Sequence, residues 1–236
     1  MFKTETHLHT LEISLCSQIR ASQLIRKYKE AGYSTVLITD HFQFNTLDTY
    51  GDISWELKTT LFLSSYYLAK CEGDKLGVNV LMGAEIRFTG DVNHYLIYGF
   101  TKEFLDKYPN IHTYGIEKFS KIAKENGVYI IQAHPYRDDE CFPTPEYIDA
   151  VEVYNSNPRH NDYSEKSQAL VEKYNLPISA GSDTHRLEDI ALSGVETEEE
   201  IKTVEQFIKL VEERKVKVIN GGLWYIYLPT STAEKK

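Results

Sequence analysis

Short apolar runs alternate with longer amphipathic stretches through most of this chain, and that alternation limits the folds that are open to it. The sequence predicts seven strands, at 2–7, 35–39, 80–86, 95–100, 128–133, 150–154 and 177–180. It predicts helices at 22–31, 55–76, 115–125, 163–174 and 198–215. Strands that alternate with helices form a mostly parallel sheet joined by crossover helices. Because about seven such strands occur in 236 residues, this α/β pattern favours a barrel over an open sheet.

Two segments break the alternation. The link between the third and fourth strands is too short for a crossover helix and contains Thr-Gly-Asp, so we expect an antiparallel hairpin that pairs Arg87 with His94. In the segment 216–229, an Asn-Gly pair between two β-rich runs predicts a second hairpin. We expect one barrel domain over residues 1–229, followed by a polar tail at 230–236.

Histidines collect at one end of the predicted strands. Five of the eight histidines stand at or just after a strand's C-terminal end: His7, His9, His41, His134 and His185. Glu85 ends the third strand, and Asp183 follows the seventh. In α/β barrels the C-terminal ends of the strands form the active-site face. A cluster of imidazoles and carboxylates on that face predicts a site for several metal ions, of which Zn, Mn and Fe suit these donors.

Side-chain direction supports the cluster. Residues two apart in an extended segment point the same way, so His7 and His9 should face together. In the predicted hairpin register His94 lies diagonal to Glu85 on one face of the sheet, at roughly 7 Å, where the two can share a metal. The remaining histidines, at positions 112 and 160, fall outside the pattern and are interpreted as loop residues.

The charge balance restricts the partners. A net charge of −9 and a pI near 5.4 argue against a sequence-independent nucleic-acid binder. An anionic substrate would therefore need a local positive site. Arginines that follow predicted strands are the candidates to bind such a substrate, and one loop adds an asparagine: Arg137, Arg159, Arg186 and Asn155, with Arg87 as a further candidate.

The three cysteines are widely spaced and odd in number, which does not indicate a disulfide framework or a cysteine-based zinc site. The N-terminal residues lack the basic and apolar regions of a signal peptide. No apolar run approaches the roughly 20 residues that a membrane span needs. We therefore expect a cytoplasmic protein that does not associate with membranes, and a homo-oligomer is compatible with the sequence.

Taken together, the motifs resemble those of the PHP family, named for polymerase and histidinol phosphatase. They are HLH at 7–9, TDH at 39–41, GAE at 83–85, H-x-L-x-x-G at 94–99, AHP at 133–135 and GSDTH at 181–185. The resemblance implies a distorted (β/α)7 TIM-like barrel with two or three divalent metal ions. It also implies phosphoesterase activity on a small phosphorylated substrate.

The resemblance implies three ligand sets: His7, His9, Glu85 and Asp183; a bridging Glu85 with His94 and His134; and His41 with His185. The third set normally includes a His or Asp about six residues after the second His of the HxH motif. That position is Leu15 here, which cannot bind a metal. Glu12 and Cys16 lie nearby and are the candidates to replace it. Asp40 is expected to orient a neighbour rather than to ligate.

The resulting hypothesis is a phosphatase similar to histidinol phosphatase, in which a metal-bridging hydroxide attacks phosphorus and His41, His185 or Asp40 helps to protonate the leaving group. Two alternatives stay open. One is an amidohydrolase, because HxH also opens those barrels, although no lysine follows a strand here as their metal-bridging lysine does. The other is a metal-binding regulatory module without catalysis.

Overall fold

A ten-stranded sheet forms the centre of the computed structural model, which describes residues 1–220. The strands are β1 (Phe2–Glu5), β2 (Tyr33–Ile38), β3 (His41–Phe42), β4 (Asn79–Ile86), β5 (His94–Tyr98), β6 (Tyr129–Ala133), β7 (Ala150–Asn155), β8 (Ile178–Gly181), β9 (Ser193–Thr197) and β10 (Lys217–Asn220). Their order is β10-β9-β1-β2-β4-β5-β6-β7-β8, and the short β3 pairs with β4. All seven predicted strands are present, and the predicted α/β barrel is confirmed.

The barrel closes where β1 and β8 end. β9 and β10 are antiparallel strands that occupy the edge of β1, so they separate its first half from β8. Beyond Glu5 the chain stays extended, and Leu8 forms a parallel bridge with Thr184. The His9 N–H donates to the Thr184 carbonyl at 2.9 Å. This contact, rather than a full strand pair, brings the first and last histidine motifs together and gives the barrel its distortion.

The helices cover the outside of the sheet: α1 (Ala21–Glu30), α2 (Phe44–Asp48), α3 (Trp55–Phe62), α4 (Ser64–Leu76), α5 (Lys102–Lys107), α6 (Ile116–Glu125), α7 (Ser164–Tyr174) and α8 (Val204–Glu212). In α1 the buried residues Leu24, Ile25 and Tyr28 recur at helical spacing and pack on the sheet. The helix predicted at 55–76 is two helices, which Leu63 joins.

The predicted hairpin is confirmed in its register. β4 and β5 are antiparallel, and Glu85 lies opposite Leu96 while Ile86 lies opposite Tyr95. The same register continues to the predicted pairing of residue 87 with residue 94. β6 is also antiparallel to β5, so the β4–β5 and β5–β6 pairs, like the β1–β9 and β9–β10 pairs, depart from the parallel pattern.

Several elements differ from the prediction. Strand β9 and the short helices α2 and α5 were not predicted. The last helix begins at Val204 rather than at residue 198, because a capping box defines its N-terminal end. The Thr203 hydroxyl accepts the Gln206 N–H, and the Gln206 side chain accepts the Thr203 N–H. β10 occupies the start of the hairpin predicted at 216–229, and the rest of that hairpin and the polar tail lie outside the described residues. Within residues 1–220, no helix has the length and apolar character needed to cross a membrane.

His112, interpreted from sequence as a loop residue, is instead a core histidine. It is 5% exposed and lies in a short 3-10 helix. Its ring stacks on Trp55 with the ring centres 6.1 Å apart, and it meets the edge of Phe42. Burial lowers its pKa from 6.5 to about 4, with a smaller contribution from Lys58.

This burial predicts a pH-dependent stability. The folded state holds His112 neutral, whereas the unfolded chain takes up a proton near pH 6.5. Protonation therefore favours unfolding, and the stability that neutral His112 allows is lost as the pH falls from about 6.5 towards about 4. We expect His112→Phe to lose less unfolding free energy than the wild type between about pH 7 and about pH 5 in urea titrations. Equal losses in the two proteins would contradict this assignment.

Candidate metal centre

The first donor group lies where the chain leaves β1 and β8. His7 Nε2 lies 3.1 Å from His9 Nε2 and 3.3 Å from Glu85 Oε1. Asp183 Oδ1 lies 3.4 Å from His7 Nε2 and 3.1 Å from His9 Nε2. Each of the four side chains is at most 1% exposed. The structure thus brings together the four residues predicted to bind the first metal.

The separations within this group fit a bound metal ion. Metal–ligand distances of about 2.0–2.2 Å in a tetrahedral arrangement place two donor atoms about 3.3–3.6 Å apart. The observed separations run from 3.1 to 3.6 Å. Imidazole nitrogens and carboxylate oxygens are also the donors that Zn, Mn and Fe accept. Both the spacing and the chemistry of these residues therefore suit a divalent metal.

Glu85 connects this group to its neighbours. Its Oε1 atom lies 3.2 Å from His134 Nε2 as well as 3.3 Å from His7 Nε2. Its Oε2 atom lies 3.6 Å from His9 Nε2 and 2.6 Å from His41 Nδ1. Glu85 Oε2 and His41 Nδ1 are not in hydrogen-bonding geometry, and within residues 1–220 neither atom has a hydrogen-bond partner. A carboxylate placed in this way can bridge two metal ions.

The second donor group contains His94 and His134, whose ring centres lie 5.2 Å apart. The β4–β5 register brings His94 to this face, as predicted. The Nδ1 atoms of both rings are buried and have no hydrogen-bond partner in the described part of the chain. Cys141 joins these two histidines, with its ligand atom within 4.8 Å of theirs. No sequence motif predicted this thiol at the site.

The third donor group contains His41 and His185, and His9 lies against both rings. The two Nε2 atoms lie 3.5 Å apart. The position predicted for a further ligand is held by Leu15, which is 71% exposed. The third ligand set is therefore present except for the residue that the family motif would place there.

Glu12 and Cys16 were the candidates to replace that residue, and the structure separates them. A carboxylate oxygen of Glu12 accepts the Ala21 N–H at 3.0 Å at the start of α1, and no donor group of the described chain includes Glu12. This placement does not support Glu12 as a ligand, because its carboxylate caps a helix instead. Cys16 lines the same cavity as His41 and His185. Partial burial raises the pKa of its thiol, but hydrogen bonds to these two histidines lower it to about 6.

A buried carboxylate that was not predicted from the sequence lies beneath the donor groups. Glu152 is fully buried in β7, and its Oε1 atom lies 2.9 Å from His7 Nδ1. Its Oε2 atom accepts the His134 N–H at 3.0 Å. Gly181 leaves the space that this contact needs, because a Cβ atom there would lie 2.4 Å from His7 Cβ. The sequence feature that could have indicated Glu152 is its position between two valines in an otherwise apolar strand.

Asp40 holds the loop that follows His9. Its carboxylate accepts hydrogen bonds from the Thr10 N–H and from the hydroxyls of Thr10, Ser14 and Ser65. The Ser14 hydroxyl in turn lies 3.3 Å from His9 Nδ1. Asp40 is 1% exposed and contacts His9 only through the Ser14 hydroxyl, so it lies where it could orient this ring.

The electrostatics of the cluster favour ionised carboxylates. Burial alone would raise the pKa values of Glu85 and Asp183. The surrounding imidazoles lower both, and Arg137 lowers that of Asp183, so each pKa stays well below its usual range. Burial also lowers the pKa of His94 to about 3, which keeps this ring neutral. Ionised carboxylates and neutral imidazoles are the forms that bind metals.

Two residues of the donor groups occupy strained backbone positions. His134 has φ +29° and Asp183 has φ +51°, in the left-handed region that residues with a Cβ atom rarely adopt. Each such residue costs of order 1–3 kcal/mol and persists where the surroundings fix it. For His134 that surrounding includes the bond from its N–H to Glu152. Such strain is concentrated at functional sites.

A cavity of about 280 Å³ lies over the donor groups. It is lined by Cys16, His41, Gln43, Arg87, His94, Arg137, Asn157, Arg159, His160, His185 and Arg186. Four of these residues are arginines, and no carboxylate of the described chain is among them. A larger cavity, of about 590 Å³, lies near the opposite end of β6, and no histidine within residues 1–220 lines it.

The residues predicted to bind substrate have different surroundings. The Arg137 guanidinium donates to Asp183 Oδ2 and to Asn155 Oδ1. The Asn155 amide donates to Glu152 at 2.9 Å, and the residue is 4% exposed. Asn155 therefore lies behind Arg137 and positions it, which is not the substrate contact that was predicted.

Arg159 forms two hydrogen bonds of 2.7 Å with Asp189, so its guanidinium is largely engaged. Arg186 is more available, with 42% of its side chain exposed and Glu188 3.9 Å away. His160, interpreted as a loop residue, borders the cavity, and its Nδ1 lies 2.6 Å from Asp138 Oδ2. Among the predicted arginines, Arg186 is therefore the one best placed to meet a ligand.

The contact between Glu152 and His7 yields a prediction. We expect Glu152→Gln to weaken metal binding by about 10–100-fold without unfolding the protein, because an outer carboxylate orients the imidazole and raises its basicity. Competition with a chelator measures the affinity, and circular dichroism checks the fold. Glu117→Gln, an exposed change on α6, is the matched control. An unchanged affinity in Glu152→Gln would show that Glu152 does not orient His7.

The chain was compared with known proteins. The family model PHP_C, described as PHP-associated, matches residues 161–216. No curated protein matches the chain. A two-domain protein from Bacteroides vulgatus, containing a predicted PHP-like metal-dependent phosphoesterase, has a TM-score of 0.72 at 15% identity. That similarity covers 94% of this chain, which spans 66% of the length of the Bacteroides protein.

Two further structures share the fold. A protein from Bifidobacterium adolescentis, proposed to be a metal-dependent phosphoesterase, has a TM-score of 0.55 at 14% identity, over 78% of this chain and 88% of that one. An amidohydrolase from Chromobacterium violaceum has a TM-score of 0.53 at 12% identity, over 93% and 98%. The family-model match over residues 161–216 and the shared barrel make this chain similar to PHP-type proteins in part of its sequence and in its fold.

Proposed function

We propose that this protein is a metal-dependent phosphoesterase that hydrolyses small phosphomonoesters. One observation carries the proposal: three groups of buried metal donors lie directly beneath a cavity that four arginines line. The donors suit divalent metals, and guanidinium groups suit phosphate oxygens. Neither the donor groups nor the arginines alone would indicate phosphate ester hydrolysis. The position of the arginines directly above the donor groups supports it.

The chain's own residues would arrange the reaction. His7, His9, Glu85 and Asp183 would hold one metal, and Glu85 would bridge to a second metal at His94 and His134. When bound, such metals supply a water of lowered pKa and positive charge for the phosphoryl oxygens. Glu152 and Asp40 keep His7 and His9 in the orientation that ligation requires. Arg137 fixes Asp183 from the side of the cavity.

The cavity selects for anions although the protein as a whole is negatively charged. The chain carries a net charge of −9, so its overall field repels a phosphate ester. Arg87, Arg137, Arg159 and Arg186 line the cavity, and no carboxylate within residues 1–220 lines it. Arg137 and Arg159 are paired with Asp183 and Asp189, so Arg87 and Arg186 are the guanidiniums most available to an anion. At about 280 Å³ the cavity has the volume of a small ligand site. A small phosphomonoester, such as a histidinol phosphate-like compound, fits this combination.

An amidohydrolase remains the second candidate, since the Chromobacterium structure shares the barrel. The cavity argues for the phosphoesterase, because the described residues that line it include four arginines and no lysine. Screening phosphate esters beside amides and lactones, with Zn, Mn and Fe supplied separately, distinguishes the two. Hydrolysis of amides in the absence of phosphatase activity would overturn the proposal, as would turnover by protein that a chelator has stripped of metal.

Glu85→Gln tests the bridge. We expect turnover of p-nitrophenyl phosphate to fall by more than the roughly 10–100-fold that loss of an outer partner causes, because the variant loses a direct ligand of two metals. Elemental analysis should show less metal, while circular dichroism stays unchanged. Glu205→Gln, an exposed change on α8, and His112→Phe are the controls. Normal turnover in Glu85→Gln would exclude the assigned centre.

Arg186→Gln tests the cavity. A hydrogen bond to a charged group is worth about 1.5–3 kcal/mol, and solvent exposure reduces that value, so we expect KM for phosphate esters to rise by roughly tenfold. The metal content should stay constant, since Arg186 lies outside the donor groups. Arg26→Gln, which removes an exposed arginine of α1 that pairs with Glu72 on α4, is the matched control. An unchanged KM would place the phosphate away from Arg186.

A further inference from the structure

The second donor group contains two unpaired imidazole nitrogens. The Nδ1 atoms of His94 and His134 are both buried, and neither has a hydrogen-bond partner within residues 1–220. His134 is fully buried, so bulk water does not reach its ring. Buried polar atoms are normally paired, and an unpaired one calls for a specific reason, such as a bound ion. Two such nitrogens in neighbouring rings therefore favour a metal ion close to both.

The thiol of Cys141 lies beside these two rings. One ligand atom of His94, one of His134 and the Cys141 sulfur all lie within 4.8 Å of one another. Cys141 is a buried residue, with 9% of its surface exposed. Its Sγ donates to the Val92 carbonyl at 3.6 Å. Because S–H is a weak donor, the sulfur loses little when it exchanges this hydrogen bond for a metal.

The backbone next to Cys141 is held by the strands that carry the two histidines. The Phe142 N–H donates to Asn93 Oδ1 at 3.0 Å, and the Phe142 carbonyl accepts from Gln132 Nε2 at 2.8 Å. Asn93 directly precedes β5, and Gln132 lies in β6. These two strands are paired with each other. The sulfur and the two imidazoles are therefore positioned by the same part of the sheet.

We propose that the Cys141 thiolate is a further ligand of the second metal, in addition to His94, His134 and the bridging Glu85. The inference rests on the proposed metal centre and adds a soft donor to it. Binding releases the thiol proton to solvent, because the thiolate is the form that ligates. A sulfur ligand favours Zn over Mn, whereas the nitrogen and oxygen donors of the first group accept either metal. The first and second positions thus differ in metal preference.

Cobalt substitution tests the ligand without reference to activity. Protein stripped with a chelator is loaded with Co²⁺, and thiolate-to-cobalt charge transfer is recorded in the near ultraviolet. We expect this absorption in the wild type and its loss in Cys141→Ser, because a hydroxyl cannot replace the thiolate. Circular dichroism of the variant should match that of the wild type. Absorption that persists in Cys141→Ser would overturn the inference.

The other two cysteines provide a test that leaves Cys141 in place, and so does not depend on the folding of Cys141→Ser. Cys16 and Cys71 are both exposed, and the chain has three cysteines in all. The double variant Cys16→Ser/Cys71→Ser therefore keeps Cys141 as its one thiol, and we expect it to retain the absorption. Loss of the absorption in this variant would assign the thiolate to another cysteine and overturn the inference.

A wild type that holds cobalt but lacks the absorption would overturn it as well. Hydrolysis of phosphate esters by the same metal-loaded protein would then leave the proposed function intact, so the two proposals fail separately.

Discussion

The burial of two ionised carboxylates, Glu85 and Asp183, is the constraint on which the rest of the site depends. Each is 1% exposed, and the effective cost of burying an unpaired ion is several kcal/mol. The barrel offsets this cost by surrounding them with imidazoles and one guanidinium. Glu85 alone lies within 3.6 Å of His7, His9, His41 and His134. The cluster can exist only where several strands end together, and the closure of the barrel provides that place.

Three further buried carboxylates, those of Glu5, Glu152 and Asp40, position the residues of the donor groups through hydrogen bonds. Glu5 accepts the N–H groups of Thr6, His7 and Ser182 and the hydroxyl of Tyr28, and so ties the end of β1 to the end of β8. Burial raises its pKa to about 7 even though the hydrogen bonds from Ser182, His7 and Tyr28 lower it. Glu152 and Asp40 act in the same way on individual histidines. The positions of the ligands are therefore set by buried hydrogen bonds rather than by flexible side chains.

Local periodicity and turn chemistry made much of this arrangement predictable. Strand-end positions gathered the histidines, and the short link before His94 set a register that the structure reproduces. Contacts between residues distant in sequence were not accessible in the same way. Nothing local indicates that Glu152 meets His7 across 145 positions or that Asp189 engages Arg159. Glu12 and Cys16 lie four residues apart in one loop, and only its folded path separates a helix cap from a side chain at the site.

Asp183 joins the cavity to the donor groups. The two oxygens of Asp183 face different neighbours: Oδ1 faces His7 and His9, while Oδ2 accepts from Arg137. Arg137 therefore does not compete with a metal for the same atom, and it can hold the carboxylate steady while lining the cavity. The strand ends carry the ligands, and the loops carry the guanidiniums, so the loops can differ between related barrels without disturbing the ligands. The loops that carry Arg137, Arg159 and Arg186 are accordingly the parts of the cavity wall that can vary without moving the donor groups.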